Sequence, residues 1–509
     1  MRHLAIIFCF SCLLAMVIVP LLARVCRRIG LVDHPDGRRK LHENKVALCG
    51  GIAGYLATAV TVAVAIPLLR TEWNALDRTA TELLPIFFAG SVLLAVGIID
   101  DKIGLRGRQK LAGQLIAAMI LVLGGLVVER VELFGYTIDL GVLAVPATVL
   151  WLLAAVNAIN LLDGINGFAG SIGLITSAAL AFLAFRGGHA PQAILAAAMA
   201  GSLLGFLRFN FPKATVFLGD AGSMSIGLVL GALSIQSSLK GPGTLLLATP
   251  LCMLAIPFFD SAAAITRRHL TGRSIYSTDR CHIHHRLTER FGSVAAVLVV
   301  MLFCSLLVAA AMAGAIMRSE TVTVVTVVGV VLIFVVTRVF GHSELGLIRA
   351  RVGSFSRSLF ALSRHEQASG VHSITRLQGN REWEKLWTGL TEAVQDMPVT
   401  RVELDVNCPA LHEGYHGAWK RRSSAADERI WRFDLPLVAA EHQIGHVRVT
   451  GVRTESSAAA EMEKLLELLD SFEEGLEGIL QEGDGTPEVP ALPRLLTQEE
   501  PVAATQGVR

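Results

Sequence analysis

Two adjacent carboxylates, Asp100-Asp101, close an apolar run and are followed by Lys110 and Gln114. Neighbouring carboxylates repel, so the pair calls for a compensating cation, either Lys102 or Arg106 or a divalent ion. Mg2+ is hard, takes oxygen ligands, and is often held by one or two carboxylates together with phosphate oxygens. A second constellation reads Asn157-Ala158-Ile159-Asn160-Leu161-Leu162-Asp163-Gly164-Ile165-Asn166-Gly167. On a helix, Asn157, Asn160 and Asp163 share one face. A polar stripe ending an apolar helix faces a cavity rather than lipid. Helix capping accounts for one such residue but does not call for a stripe. Further on, Asp220 stands between Gly219 and Ala221-Gly222, preceded by Asn210 and Lys213. A carboxylate there suits a metal, and a helix start behind it favours phosphate.

The cationic residues complement these acids. His282, His284, His285 and Arg286 fall within one short stretch. Zinc is one reading, but no second Cys or His cluster completes a four-ligand site. Imidazole and guanidinium donors facing a diphosphate fit better with the carboxylates elsewhere. Near the N-terminus, Arg39, Lys40 and His42 precede Gly50-Gly51, a pattern that suits a phosphorylated ligand. The same Lys and Arg residues also serve to orient membrane segments. Oxygen donors for Mg2+, with Mn2+ as a substitute, and cations for phosphate together point to phosphoryl transfer, which needs mainly positioning and charge neutralisation.

The elements that must position these residues are membrane helices. The chain has 509 residues, 52% hydrophobic and only 17% charged, with mean hydropathy +0.55. A soluble globular chain is about 25% charged. The deficit excludes a wholly soluble, disordered or nucleic-acid-coating protein. The Cys residues form no disulfide framework; Cys9 and Cys12 sit inside an apolar run. Apolar runs of membrane length cover roughly 4–25, 47–69, 81–99, 111–128, 142–160, 167–185, 191–207, 222–237, 243–262, 294–316 and 321–340. Alternate loops carry most of the Lys and Arg, which places them in the cytoplasm, the N-terminus outside and the C-terminus inside. The polar clusters all fall on the cytoplasmic side. The expected fold is an all-α polytopic membrane protein of about eleven transmembrane helices (1–340). A linker (341–380), a small cytoplasmic α+β domain (381–480) and a disordered tail (481–509) follow. In that domain a helix is expected around Glu382–Val394, strands at Val399–Val406, Glu428–Pro436 and Ile444–Thr450, and an amphipathic helix over Ser457–Leu480. No catalytic motif stands out after 341, and its default role is regulation or the binding of an unidentified partner.

Residues 1 to about 340 resemble the polyprenyl-phosphate N-acetylhexosamine-1-phosphate transferases of glycosyltransferase family 4. The resemblance rests on Asp33-x-Pro35 with Arg39-Lys40-x-His42 and Gly50-Gly51, and on Asp100-Asp101 with Lys110 and Gln114. It continues through Asn157-x-x-Asn160-x-x-Asp163-Gly164, Phe217-x-Gly219-Asp220-Ala221-Gly222-Ser223 and His282-Ile283-His284-His285. Five motifs in the family's order make a strong signal where any one would be weak.

The resemblance implies eleven spans, an active site facing the cytoplasm of a bacterial inner membrane, and a Mg2+ requirement. Undecaprenyl phosphate attacks the β-phosphate of a UDP-N-acetylhexosamine and UMP leaves, as the first step of an envelope polysaccharide. Carried over by position, Asp100, Asp101 and Asp163 are the catalytic carboxylates. Asn160, Asp163 and Asp220 surround the metal. Arg39, Lys40, His42, Lys110, Asn157, Asn166, His282, His284, His285 and Arg286 contact substrate. The His-Ile-His-His form resembles the GlcNAc-1-phosphate branch; the phospho-MurNAc-pentapeptide transferases form the alternative. Two departures stand out: Asn166 replaces an Asp usual in bacterial members, and Lys45 and Ala47 stand where prolines are usual. A homodimer is compatible with the sequence. The rivals from other classes are a transporter of similar topology, whose sites lie nearer the midplane, and an inactive scaffold, against which the retained carboxylates speak.

Overall fold

The computed structural model describes residues 1–33, 46–69, 79–237, 239–241, 244–246, 248–270, 282–317, 319–337, 345, 371–378, 383–395, 397–408, 413–421, 430–439 and 442–452. The chain separates into two compact units, Met1–Arg349 and Ala350–Arg509.

The first unit is helical. In chain order it holds α1 (Arg2–Ile29), β1 (Val32–Asp33), β2 (Val46–Leu48), α2 (Gly50–Leu69), α3 (Thr79–Ile103), α4 (Gly107–Leu123), β3 (Arg130–Leu133), β4 (Tyr136–Asp139), α5 (Ala144–Leu162), α6 (Phe168–Arg186), α7 (Ala190–Asn210), β5 (Val216–Phe217) and α8 (Gly219–Ser237). It continues with β6 (Leu239–Gly241), β7 (Thr244–Leu246), α9 (Ala248–Met253), α10 (Ala255–Leu270), α11 (Ile283–Phe291), α12 (Ser293–Met317) and α13 (Glu320–Val336). Among the described residues seven helices are long and apolar enough to cross a membrane: α1, α2, α3 from Glu82, α5 with the short 3-10 turn before it, α6, α7 and α12. Backbone polar groups have no partner in hydrocarbon, so a spanning segment must satisfy them internally, as a helix does.

The helices pack through small residues. A Cβ added at Gly201 on α7 would lie 2.1 Å from the Phe8 carbonyl oxygen, and one at Gly205 2.5 Å from that of Cys12. This G-x-x-x-G face is what lets α1 lie against α7. Helices α7 and α8 are buried along nearly their whole length.

Three expectations need correction. The membrane unit is not purely helical: β1, β2 and β5 form one small sheet, and β4, β3, β7 and β6 another. The expected span 243–262 is not one helix; it breaks at Leu254 between α9 and α10, and α10 runs on to Leu270. Pro257 supplies no N–H to the preceding turn, which weakens the helix there. Val371–Gln378, read from the sequence as linker, is a strand of the second unit (β8) paired with β10. It is the edge strand of its sheet, and its pairing with β10, distant in the chain, does not show in the local pattern.

The second unit holds β8, α14 (Trp383–Ala393), β9 (Val399–Cys408), β10 (Glu413–Lys420), β11 (Ile430–Ala439) and β12 (His442–Val452). Its antiparallel sheet has the order β11-β12-β9-β10-β8. Trp383, Trp387 and Leu390 of α14 pack with Val402, Leu404, Val406, Tyr415 and Trp419 into one core. The helix expected over Ser457–Leu480 and the tail lie outside the described residues.

Candidate active site

The ends of several helices meet where the chemistry-bearing residues lie. Asp100 and Asp101 are near the end of α3, Lys110 is in the first turn of α4, Asp163 caps the end of α5, and Asp220 is in the first turn of α8. Glycines permit this convergence. A Cβ on Gly51 would lie 2.2 Å from Gly222 Cα, and one on Gly97 2.2 Å from Ala221 Cα. Helices α2 and α3 therefore touch the backbone of α8 directly. Gly219 has φ +76°, and a side chain there would meet Asp101 Oδ2 at 2.6 Å. The small sheet adds a further tie. β2 runs parallel to β5, pairing Ala47 with Val216 and Leu48 with Phe217, and Gly51 donates its N–H to the Leu218 carbonyl at 2.9 Å.

The adjacent carboxylates are divided between two tasks. Asp100 is buried; its Oδ1 accepts the Leu105 N–H at 2.6 Å and its Oδ2 lies 2.6 Å from Lys110 Nζ. The same ammonium reaches Asp220 Oδ2 at 3.0 Å. Lys110, rather than Lys102 or Arg106, is thus the cation that compensates Asp100. Asp101 instead accepts N–H bonds from Asp220 (2.9 Å) and Ala221 (3.4 Å). The first turn of a helix leaves such donors without helical partners, and here a carboxylate from a neighbouring helix takes them up. Asn160 Nδ2 donates to Asp220 Oδ1 at 2.6 Å and Ser223 Oγ at 2.9 Å. That leaves its Oδ1 as the atom able to face a cation.

Asp163 completes the group. Burial first, then the negative charges of Asp220 and Asp101, push its carboxyl well above the ordinary carboxylate range. Among the described residues of this group, four carboxylates stand against the Lys110 ammonium. Among the described residues no three acidic, His or Cys side chains already close on one point, as Lys110 holds Asp100 and Asp220. The donor chemistry fits a hard divalent cation: oxygen ligands from Asp163, Asp220 and Asn160, and an excess of negative charge around Asp163 that a cation would offset.

The remaining expected residues are placed as follows. Asn157 exchanges hydrogen bonds with Gln114 on α4 (2.7 and 3.2 Å) and donates to the Leu153 carbonyl, so it ties α4 to α5. Asn166 lies on the turn after α5, with its amide 3.5 Å from the Pro212 carbonyl. That turn is pinned by buried Asn210, which accepts the Gly167 N–H at 2.6 Å and donates to the Val216 carbonyl at 2.9 Å. His282 is buried and begins α11, followed by His285 and Arg286 on that helix. The side chain of His284 and all of Arg39, Lys40 and His42 lie outside the described residues; Asp33 and Val46, on either side of the latter three, pair with each other.

Sequence reading missed Asp260. It is fully buried on α10, accepts the Ile283 N–H at 2.9 Å, and its Oδ2 lies 3.3 Å from His282 Nδ1. The signal was present: a lone carboxylate inside an apolar helix is expensive enough to be a functional candidate.

Residues 83–238 match the model of "Glycosyl transferase family 4". A "Probable undecaprenyl-phosphate N-acetylglucosaminyl 1-phosphate transferase" of Bacillus subtilis is 32% identical over 289 residues, covering 56% of this chain and 78% of the relative. The chain belongs to glycosyl transferase family 4. The family match spans Asp100, Asp101, Lys110, Asn160, Asp163 and Asp220, the residues that the helix ends gather. A "Decaprenyl-phosphate N-acetylglucosaminephosphotransferase" of Mycolicibacterium smegmatis is 32% identical over 288 residues, 52% of this chain and 70% of the relative. A "Phospho-N-acetylmuramoyl-pentapeptide-transferase" of Shouchella clausii is 31% identical over 205 residues, 38% of this chain and 62% of the relative. All of these matches cover part of the chain, and the first two cover more than the third.

Proposed function

We propose that the chain transfers GlcNAc-1-phosphate from UDP-GlcNAc to undecaprenyl phosphate, releasing UMP. The observation that carries the reading is the gathering of Asp100, Asp101, Asp163 and Asp220 with Lys110 at the meeting point of four helix ends, in a chain of this family. The names and coverage of the relatives favour GlcNAc over MurNAc-pentapeptide as the sugar.

In this reading a phosphate oxygen of the lipid attacks the β-phosphorus of the donor. The bond from that phosphorus to the bridging oxygen breaks, and UMP leaves. Asp163 and Asp220, with the Asn160 amide oxygen, would hold Mg2+. When bound, the ion neutralises the diphosphate and polarises its P–O bonds. Asp100 takes the remaining proton of the lipid phosphate. Lys110 holds Asp100 and Asp220 at a fixed separation and supplies positive charge where phosphate enters. Asp101 fixes the start of α8, so that the Asp220 carboxylate is presented by a rigid turn. His282, His285 and Arg286, with the basic residues near the N-terminus, bind phosphate oxygens.

The same reading makes α4, α8, α9 with α10, and α13 the remaining crossings of an eleven-span unit, with the N-terminus outside and the active site in the cytoplasm. The second unit serves regulation or partner binding.

The test uses membranes containing the full chain, undecaprenyl phosphate, Mg2+ and labelled UDP-GlcNAc, with UDP-GalNAc and UDP-MurNAc-pentapeptide in parallel. Transfer of sugar label to lipid with stoichiometric UMP supports the reading and names the sugar. Lipid product accompanied by UDP, or no lipid product from any donor, overturns it.

A further inference from the structure

We propose that Asp260 is a positioning residue that holds the His282 ring in one orientation and one tautomer. The proposal rests on the transferase reading above, because it supposes that His282 contacts the diphosphate.

Three observations carry it. First, Asp260 is wholly buried on α10, a helix whose N-terminal half is apolar. Burying a carboxylate in such surroundings is costly unless its oxygens are engaged. Second, both oxygens face the start of the histidine motif. Oδ1 accepts the N–H of Ile283 at 2.9 Å; Oδ2 takes no aligned hydrogen bond among the described residues and lies 3.3 Å from His282 Nδ1, at ion-pair distance. Third, His282 occupies the N-cap position of α11 with extended backbone (φ −70°, ψ 154°), and its own side chain makes no cap bond. Asp260 supplies the cap from another helix. The imidazole therefore remains available to be oriented by the second oxygen.

The consequence is chemical as well as geometric. A carboxylate beside Nδ1 favours the proton on that nitrogen, and ring geometry then turns Nε2 to the opposite edge. Carboxylate partners of this kind fix the tautomer and orientation of a working imidazole. Arg267, also buried, lies two turns further along the same face of α10.

Asp260→Asn separates the two tasks. Its amide oxygen can still accept the Ile283 N–H, whereas its NH2 group cannot accept a proton from the ring. We expect Asp260→Asn to lower kcat/KM by about 10–100-fold, the range seen when such a supporting carboxylate is lost. In a His282→Gln background the same change should cost almost nothing. Asp260→Ala, which also loses the cap, should additionally lower the melting temperature in detergent. An equal loss from Asp260→Asn in both backgrounds, or no loss in either, overturns the proposal.

A second readout does not depend on turnover. With 15N-histidine-labelled full-length protein, the His282 signal, assigned by its loss in His282→Gln, should report a protonated Nδ1 and should change in Asp260→Asn. An unchanged signal refutes the positioning role even if the chain acts on a different donor. An inactive wild-type protein whose His282 signal still responds would refute the transferase reading and leave the positioning intact.

Discussion

Gly97→Ala is the smallest change that tests whether the helix junction sets the active-site geometry. The added Cβ would lie 2.2 Å from Ala221 Cα, 2.3 Å from Ala221 N and 2.7 Å from the Asp220 carbonyl carbon. All three are backbone atoms, so no rotamer change relieves the overlap. To reach the 3.4 Å at which contact becomes ordinary, α3 and α8 must separate locally by more than 1 Å. The Asp220 N–H bond to Asp101, 2.9 Å long, then stretches towards ~4 Å and ceases to be a hydrogen bond. Overpacking costs about 1–3 kcal/mol, and releasing a charge-assisted cap adds about 1.5–3 kcal/mol. A displacement of this size at a reacting group costs roughly 10²-fold in rate. The assay is lipid-linked label per unit of protein, with melting temperature measured on the same preparation. Gly54→Ala is the control, because its Cβ would meet only Ser202 Oγ, at 4.0 Å. It should keep activity and melting temperature, since alanine is the better helix former. Wild-type turnover and melting in Gly97→Ala would refute the reasoning, for the junction would then be able to part without moving Asp220.

The other predictions concern charge. Asp100→Asn should abolish UMP release while keeping the fold, because the amide oxygen can still accept the Leu105 N–H. Lys110→Met removes the ammonium that bridges Asp100 and Asp220; it should destabilise by roughly 1–3 kcal/mol and abolish transfer, measured by melting and by lipid product. Asp163→Asn should inactivate the enzyme yet stabilise the Mg2+-free protein. Its folded pKa is raised above 3.8, so the folded chain binds more protons than the unfolded one, and stability falls as pH rises through that interval. The melting advantage of the variant should therefore grow with pH and vanish in acid, and Mg2+ should protect only the wild type. Asn166→Asp should leave the Mg2+ dependence of turnover unchanged, because the Asn166 amide faces the Pro212 carbonyl rather than the carboxylates.

Much of the site was legible because membranes make ionisable groups conspicuous. Asp100, Asp101, Asp163 and Asp220 stand out against apolar neighbours, and the i, i+3 spacing put Asn157 and Asn160 on one face of α5. The division of labour inside the pair was not legible. Nothing in the order Asp100-Asp101 says that one faces Lys110 and the other the amides of α8, since that depends on how α3 and α8 cross. The break at Leu254 was hidden because Pro257 stands in an unbroken apolar run. β8 was hidden because its pairing partner, β10, lies far along the chain. Asp260 was overlooked for a different reason: it is a single carboxylate inside the expected span 243–262, and its partner Ile283 lies beyond the span.

Asp101 and Asp260 embody the same solution to one physical problem. Helices α8 and α11 both begin inside the protein, where orphan N–H groups are costly to leave unpaired. A capping side chain at the helix's own N-cap would occupy the space in front of the first turn. Taking the cap from a different helix, α3 for α8 and α10 for α11, keeps that space open for an anionic ligand while still satisfying the donors. It also locks the helix pairs together, so that a residue of the candidate site at each start, Asp220 in one case and His282 in the other, is held by a rigid neighbour. On this argument the two caps differ in consequence. Asp101 is held by amides alone, so Asp101→Asn keeps an acceptor and should disturb α8 only mildly. Any large loss of turnover in that variant, without a fall in melting temperature, would then belong to the carboxylate's charge and place Asp101 among the groups that act on substrate.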